Sequence, residues 1–322
     1  MRLGTTRWLL VGLLYLGLWP MVAASAQETR WDSIMADVAK AFQQADYAQG
    51  EKLLLAALKE AEKFGEQDRR LTDSLNNLAS LYYAQGKYAQ AEPLLQRALA
   101  IREKALGPEH PDVARSVNNL AELYSAQGKY TQAEPYFQRA LAIDEKALGP
   151  EHPDLATDLN NLAALYYAQG KDAQAKPLFQ RALAIREKAL GPEHPDVAQS
   201  VNNLALLYDA RGKYTQAEPL FQRALAIVEK ALGPEHPNVS TGLNNLAELY
   251  RAQGKYVQAE PLYQRALAIA EKALGPEHPQ VATVLENYAA LLHKLNRDAE
   301  AEKMEARAQA IRAKHAQENP QK

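Results

Sequence analysis

Apolar residues along this chain recur at helical spacing, in paired stripes separated by short polar breaks. Between residues 109 and 150, Val113, Val117, Leu120, Ala121 and Tyr124 fall three or four positions apart, which is the spacing of one helical face. His110-Pro111-Asp112 opens that helix. Proline suits the first helical position because its missing N–H had no partner there, and an aspartate favours the positive helix end. Gln127-Gly128-Lys129 closes the helix, with glycine free to take the left-handed cap. Tyr130 then opens a second stripe of Ala133, Phe137, Ala140, Leu141 and Ile143, and Gly149-Pro150 stops it. The break between the stripes is short, so the two helices are expected to be antiparallel neighbours. Ala121, Ala133 and Ala140 allow close approach. Pro135, near the start of the second helix, predicts a slight bend.

The unit repeats. Gly-Pro-Glu-His-Pro stands at 107, 149, 191, 233 and 275, and Asn-Asn-Leu-Ala at 76, 118, 160, 202 and 244, so the period is 42 residues. The stretches 109–150 and 193–234 differ at only six positions. Such a period is the signature of a repeat architecture.

Val117, Leu120, Ala121, Tyr124, Ala133, Phe137 and Ala140 resemble the tetratricopeptide pattern. The 42-residue period, the Leu-Gly-Pro-Glu-His-Pro link and the Asn-Asn-Leu-Ala run resemble its kinesin light chain class in particular. The resemblance covers about residues 31–316 and implies an all-α, right-handed superhelical solenoid of about seven antiparallel helix pairs. Residues 67–276 form five regular repeats. The stretch 27–66 lacks both Asn-Asn and the His-Pro link, and 277–316 has Glu286-Asn287-Tyr288 in place of Asn-Asn-Leu. Both ends read as caps, which present a polar outer face; residues 317–322 read as a tail.

Residues 1–26 read as a signal peptide. Arg2 and Arg7 form a basic start, Trp8 to Trp19 an apolar run, and Ala24-Ser25-Ala26 a cleavage site. An uncleaved anchor is the alternative. Export to a bacterial periplasm or the extracellular space is the expectation.

Composition narrows the chemistry. The 322 residues carry a net charge of −2 and no cysteine. There is no global positive field for nucleic acid, and there are no thiolate zinc sites or cysteine nucleophiles. The link histidines, His110, His152, His194, His236 and His278, suggest a metal. Equivalent residues on stacked units, however, lie too far apart for zinc ligands at ~2 Å, and helix capping is the expected role. In the recurring Gly-Lys-Tyr no Ser or Thr follows the Lys and no upstream glycine has P-loop spacing, so no P-loop forms. No cofactor, metal or enzymatic activity is expected.

The expected role is a scaffold binding a protein or peptide. The resemblance places the first helices on the concave surface and implies that the second asparagine of each pair holds a ligand backbone. These are Asn77, Asn119, Asn161, Asn203 and Asn245, with Asn287 less well matched. Asn76, Asn118, Asn160, Asn202 and Asn244 adjoin them. An amide offers a donor and an acceptor to a peptide bond; bridging between neighbouring helices is the alternative. Beside the amides the side chains vary between units. One column reads Tyr83, Ser125, Tyr167, Asp209, Arg251; another reads Ser80, Glu122, Ala164, Leu206, Glu248; Arg115 faces the same way. Constant amides with varied neighbours suit main-chain grip with side-chain selectivity, and drift at exposed sites explains the variation equally well. The competing function is structural, with the solenoid packing against itself or an envelope complex through its convex face or its ends.

Overall fold

The computed structural model describes residues 29–43 and 46–318. The expected leader, residues 1–26, lies outside the described residues. The chain divides into two units, one ending at Gly149 and the other starting at Pro150. The first contains α1 (Arg30–Gln43), α2 (Tyr47–Ala61), a 3-10 turn (Glu62–Phe64), α3 (Arg69–Ala84), α4 (Tyr88–Leu106), α5 (Pro111–Ala126) and α6 (Tyr130–Leu148). The second contains α7 (Leu155–Ala168), α8 (Asp172–Leu190), α9 (Pro195–Asp209), α10 (Tyr214–Leu232), α11 (Pro237–Ala252), α12 (Tyr256–Leu274), α13 (Pro279–Lys294) and α14 (Asp298–Glu318). No strand occurs among the described residues. The fold is an all-α solenoid of helix hairpins. Within each unit the helices of a hairpin pack on one another, as α5 does on α6, and each second helix packs on the next first helix, as α4 does on α5.

The stripes read from the sequence form the core. Val117, Leu120, Ala121, Ala133, Phe137 and Ala140 are buried. Leu141 is only half-buried: it follows Ala140 directly, so it points away from the face that Ala133, Phe137 and Ala140 bury. Tyr124 and Tyr250 on the first helices are buried with their hydroxyls satisfied. Tyr124 donates to Glu92 at 3.0 Å and Tyr250 to Glu218 at 3.1 Å, each across to the preceding second helix. The helix prolines, including Pro135, lie inside continuous helices.

Helix ends follow the local chemistry. Gly128 takes φ 73°, Gly128 N donates to Ser125 O (3.0 Å), and Lys129 N donates to Tyr124 O (2.9 Å). This pattern satisfies carbonyls that the helix leaves open. At the matching place in the last hairpin stands Asn296, with φ 58°. The link histidines cap the first helices. Nδ1 of His110 accepts from Asp112 N at 3.1 Å, His194 from Asp196 N at 3.2 Å, His236 from Asn238 N at 3.2 Å and His278 from Gln280 N at 3.1 Å. His152 makes the same bond at 3.3 Å, but there the helix starts later, at Leu155, with Pro153 and Asp154 in a turn.

Ion pairs tie a second helix to the preceding second helix or to the link after it, at recurring offsets. Arg139 reaches Glu103, and Arg223 reaches Glu187, both at 2.6 Å. Lys146 pairs with Glu109 at 2.5 Å and Lys230 with Glu193 at 2.5 Å. Two arginines are instead buried. Arg102 donates to Ser116 Oγ at 2.7 Å and reaches Asp73 at 3.3 Å. Arg186 donates to Asp196 O (3.0 Å), Gln199 Oε1 (3.1 Å) and Ser200 Oγ (3.1 Å). The final helix α14 is rich in charge and buries Ala301, Ala308 and Ile311.

Candidate functional site

The amides of the Asn pairs are largely engaged within the solenoid. Asn245 Nδ2 donates to Asn202 Oδ1 at 2.9 Å, Asn287 Nδ2 to Asn244 Oδ1 at 3.0 Å, and Asn119 Nδ2 to Asn76 Oδ1 at a long 3.4 Å. Each bond runs from the second asparagine of one repeat to the first asparagine of the preceding repeat. For these three, the bridge between neighbouring helices is what the structure shows. Asn118, Asn160, Asn202, Asn244 and Asn245 are buried. Asn118 Nδ2 donates within its own helix to Glu122 Oε1 at 2.9 Å.

The series breaks once in the second unit. Asn160 donates to Ser200 Oγ at 3.3 Å, and its Oδ1 accepts no hydrogen bond. The residue expected to reach that oxygen by the 43-residue offset is Asn203. It is half-buried, and its amide is not spent on the bridge that Asn245 and Asn287 make. Asn77 and Asn161 are also half-buried.

The varied column is where the second unit concentrates charge. Asn203, Leu206 and Asp209 lie three apart on α9 and so share one face. Tyr167, at the end of α7, is close enough to Asp209 for that carboxylate to raise the phenol pKa, after burial itself. From α11, Arg251 grips Glu248 with two bonds, Nε to Oε1 at 2.9 Å and Nη2 to Oε2 at 2.8 Å. Tyr263 of α12, fully buried, also donates its hydroxyl to Glu248 and stacks on Tyr288 with centroids 5.7 Å apart. Asp209 therefore has a guanidinium near it that is already committed elsewhere. Its Oδ1 is buried and accepts no hydrogen bond. Burial first, then Glu248, push the Asp209 carboxyl up to about 6, while Arg251 pulls the other way.

Of the candidates read from the sequence, Tyr167, Asp209 and Arg251 are brought into one neighbourhood, and Asn203 lies further back on the helix that carries Asp209. Arg115 is not; it is exposed and turns back to Asp112 at 2.9 Å. Glu122 is tied to Asn118 as described. The pattern of varied positions did not single out Tyr263. The signal was present, since the column Leu95, Phe137, Phe179, Phe221, Tyr263 carries one hydroxyl, and a buried hydroxyl needs a partner. Among the described residues there is no group of three metal-ligating side chains, and no helix is long and apolar enough to cross a membrane.

A solenoid of helix hairpins with amide-lined first helices defines a class of repeat protein. The tetratricopeptide repeat model matches residues 35–104, 70–146, 112–188, 159–230, 196–272 and 239–314. The chain belongs to the tetratricopeptide repeat family. It is similar to a Podosopora anserina protein of the kinesin light chain kind with nearly identical TPR-like repeats (34% identity, 62% of this chain, 94% of that one, TM-score 0.53). It is also similar to BtubC (BKLC) from P. vanneervenii (26% identity, 77% of this chain, 93% of that one, TM-score 0.59). In fold it is similar to a Rap protein complexed with competence and sporulation factor (18% identity, 89% of this chain, 76% of that one, TM-score 0.66). No curated protein matches its sequence.

Proposed function

We propose that this protein is an exported interaction scaffold that binds an extended peptide, or an extended segment of a protein partner, along its first-helix face. The observation that carries this reading is the break in the amide series. Where Asn245 and Asn287 are used up between repeats, Asn203 keeps its amide, and it stands beside the most varied side chains of the second unit. A free amide supplies both halves of a main-chain hydrogen-bond pair. The Rap protein of similar fold was solved with competence and sporulation factor, which is in keeping with a ligand-binding role. Export rests on the leader-like residues 1–26, and the processed chain is expected to begin at Gln27.

The test is a paired capture from envelope extract. One bait is the processed chain; the other carries Tyr167→Ser and Asn203→Ala together, with helicity checked by circular dichroism. Partners lost from the variant support the first-helix face. The same partners on both baits overturn it and favour packing through the outer face or the ends. N-terminal sequencing of the exported product tests the cleavage site.

A further inference from the structure

We propose that Asp209 receives the cationic side chain, lysine or arginine, of the segment bound on this face, with Tyr167 and Leu206 holding the aliphatic stem. The proposal rests on the first-helix face being the binding surface and names the residue type it selects there.

The carboxylate lacks a partner although a guanidinium, that of Arg251, stands near it. Arg251 gives two N–H groups to Glu248. Arg211 is paired with Asp172 at 2.7 Å. Lys176 sits over the Tyr208 ring, 5.4 Å from its centroid. Each of these cations is thus satisfied elsewhere, and the buried Oδ1 of Asp209 is left without a donor. A buried acceptor without a donor costs free energy, so a ligand donor gains by filling the place.

The surroundings favour a cation on an apolar stem over a small donor such as a hydroxyl. Leu206 lies one turn before Asp209 on the same face of α9 and is partly buried against the adjoining apolar cluster. Tyr167 flanks the carboxylate from α7. Lysine and arginine lay their methylenes on apolar surface while the charged head reaches a polar partner, and a phenol ring adds attraction for the cation. Asn203, two helical steps back along the same face, is placed for the ligand main chain. The equivalent positions elsewhere in the column are Tyr83, Ser125, Tyr167 and Arg251. Only Asp209 there carries a negative charge, so the proposed selectivity belongs to one step of the solenoid.

A phage-displayed random heptapeptide library, selected on the full chain, tests the proposal. The expected binders carry Lys or Arg at one fixed position. A synthetic peptide of the selected sequence should lose about tenfold or more in affinity on Asp209→Ser, as for a lost charge-assisted bond. Replacing its basic residue with norleucine should give a similar loss, and the two losses should not add. Serine is native at position 125 of the same column, so the fold tolerates it there; Asp209→Asn is the second variant, and both are checked by circular dichroism. Binders without a fixed basic residue, or equal affinity for wild type and variant, overturn the Asp209 assignment and leave the binding face standing. No binders at all overturn the binding face, and the Asp209 assignment with it.

Discussion

Asn245 donates its amide N–H to Asn202 at 2.9 Å, between residues 43 apart in sequence, and both are buried. The bond joins α11 to α9, two successive first helices. Its removal leaves a buried polar group without a partner. Asn245→Ala and Asn202→Ala should each destabilise the fold by about 1–2 kcal/mol. The double variant should lose clearly less than the sum, because each change removes the same bond. Urea unfolding of the four chains measures the coupling; strict additivity would show that the bond contributes nothing.

The cap at His278 gives a pH dependence with a definite sign. Its Nδ1 accepts from Gln280 N, which requires a neutral ring. Burial, and then the charge of His315, hold its pKa below the ordinary histidine value. The unfolded chain therefore binds the proton more readily, and stability is lost as pH falls below the unfolded value near 6.5. His278→Asn keeps an oxygen acceptor at the cap. It should reduce the slope of stability between about pH 5 and 7 while leaving neutral stability nearly unchanged. An unaltered slope would remove His278 from the account.

Asp209 should behave in the opposite sense. Its carboxyl is raised to about 6 by burial and by Glu248, with Arg251 opposing and Tyr167 facing it. The folded chain then holds a proton that the unfolded chain releases, so this group adds stability as pH falls from about 6 towards 4. At pH 7 the ionised, unpartnered carboxylate is a liability. Asp209→Asn should raise stability there by roughly 1–2 kcal/mol, and the gain should fade in acid. Thermal melts at pH 7 and pH 4.5 read both values; a variant less stable than wild type at pH 7 would contradict the burial argument.

Buried and exposed arginines and lysines should separate sharply. Lys146 and Glu109 are both well exposed, and exposed pairs contribute little, so Lys146→Ala should leave the unfolding midpoint within error. Arg102 is buried against Ser116 and Asp73. Arg102→Ala should cost about 2 kcal/mol or more, through lost packing and the partners left behind. Denaturant titrations of the two variants side by side decide the contrast.

At the hairpin turns the backbone decides. Gly128→Ala forces a Cβ into φ 73° and should cost about 1 kcal/mol. Asn296→Gly, at φ 58°, should be neutral or slightly stabilising. Equal effects of the two substitutions would mean that the left-handed geometry is not what these turns require.

The helices were legible because forty-two residues of pattern are written five times over. Helical periodicity, the glycine turns and the His-Pro starts all depend on near neighbours in sequence. The partner of Asn245 was not legible in the same way. Its bond spans a full repeat, and the same amide pattern served a ligand ladder or an inter-helix bridge equally well until the helices were placed. Asp209 stood out only as a variable position. That its carboxylate is left over follows from where Arg251 turns, and Arg251 turns to Glu248 because that residue lies three positions back on its own helix. The later start of α7 was also hidden, since Glu-His-Pro-Asp at 151–154 matches the links at 109–112 and 193–196 letter for letter.

The ties between second helices, Arg139 to Glu103, Arg223 to Glu187 and Arg307 to Glu271, recur at one offset. Each repeat thus presents the next with nearly the same socket it received. A chain shortened or lengthened by one whole repeat would meet familiar contacts at the new junction. Unequal recombination between such similar coding segments can therefore lengthen or shorten the solenoid in whole steps, and with it the length of ligand that the proposed binding face would hold.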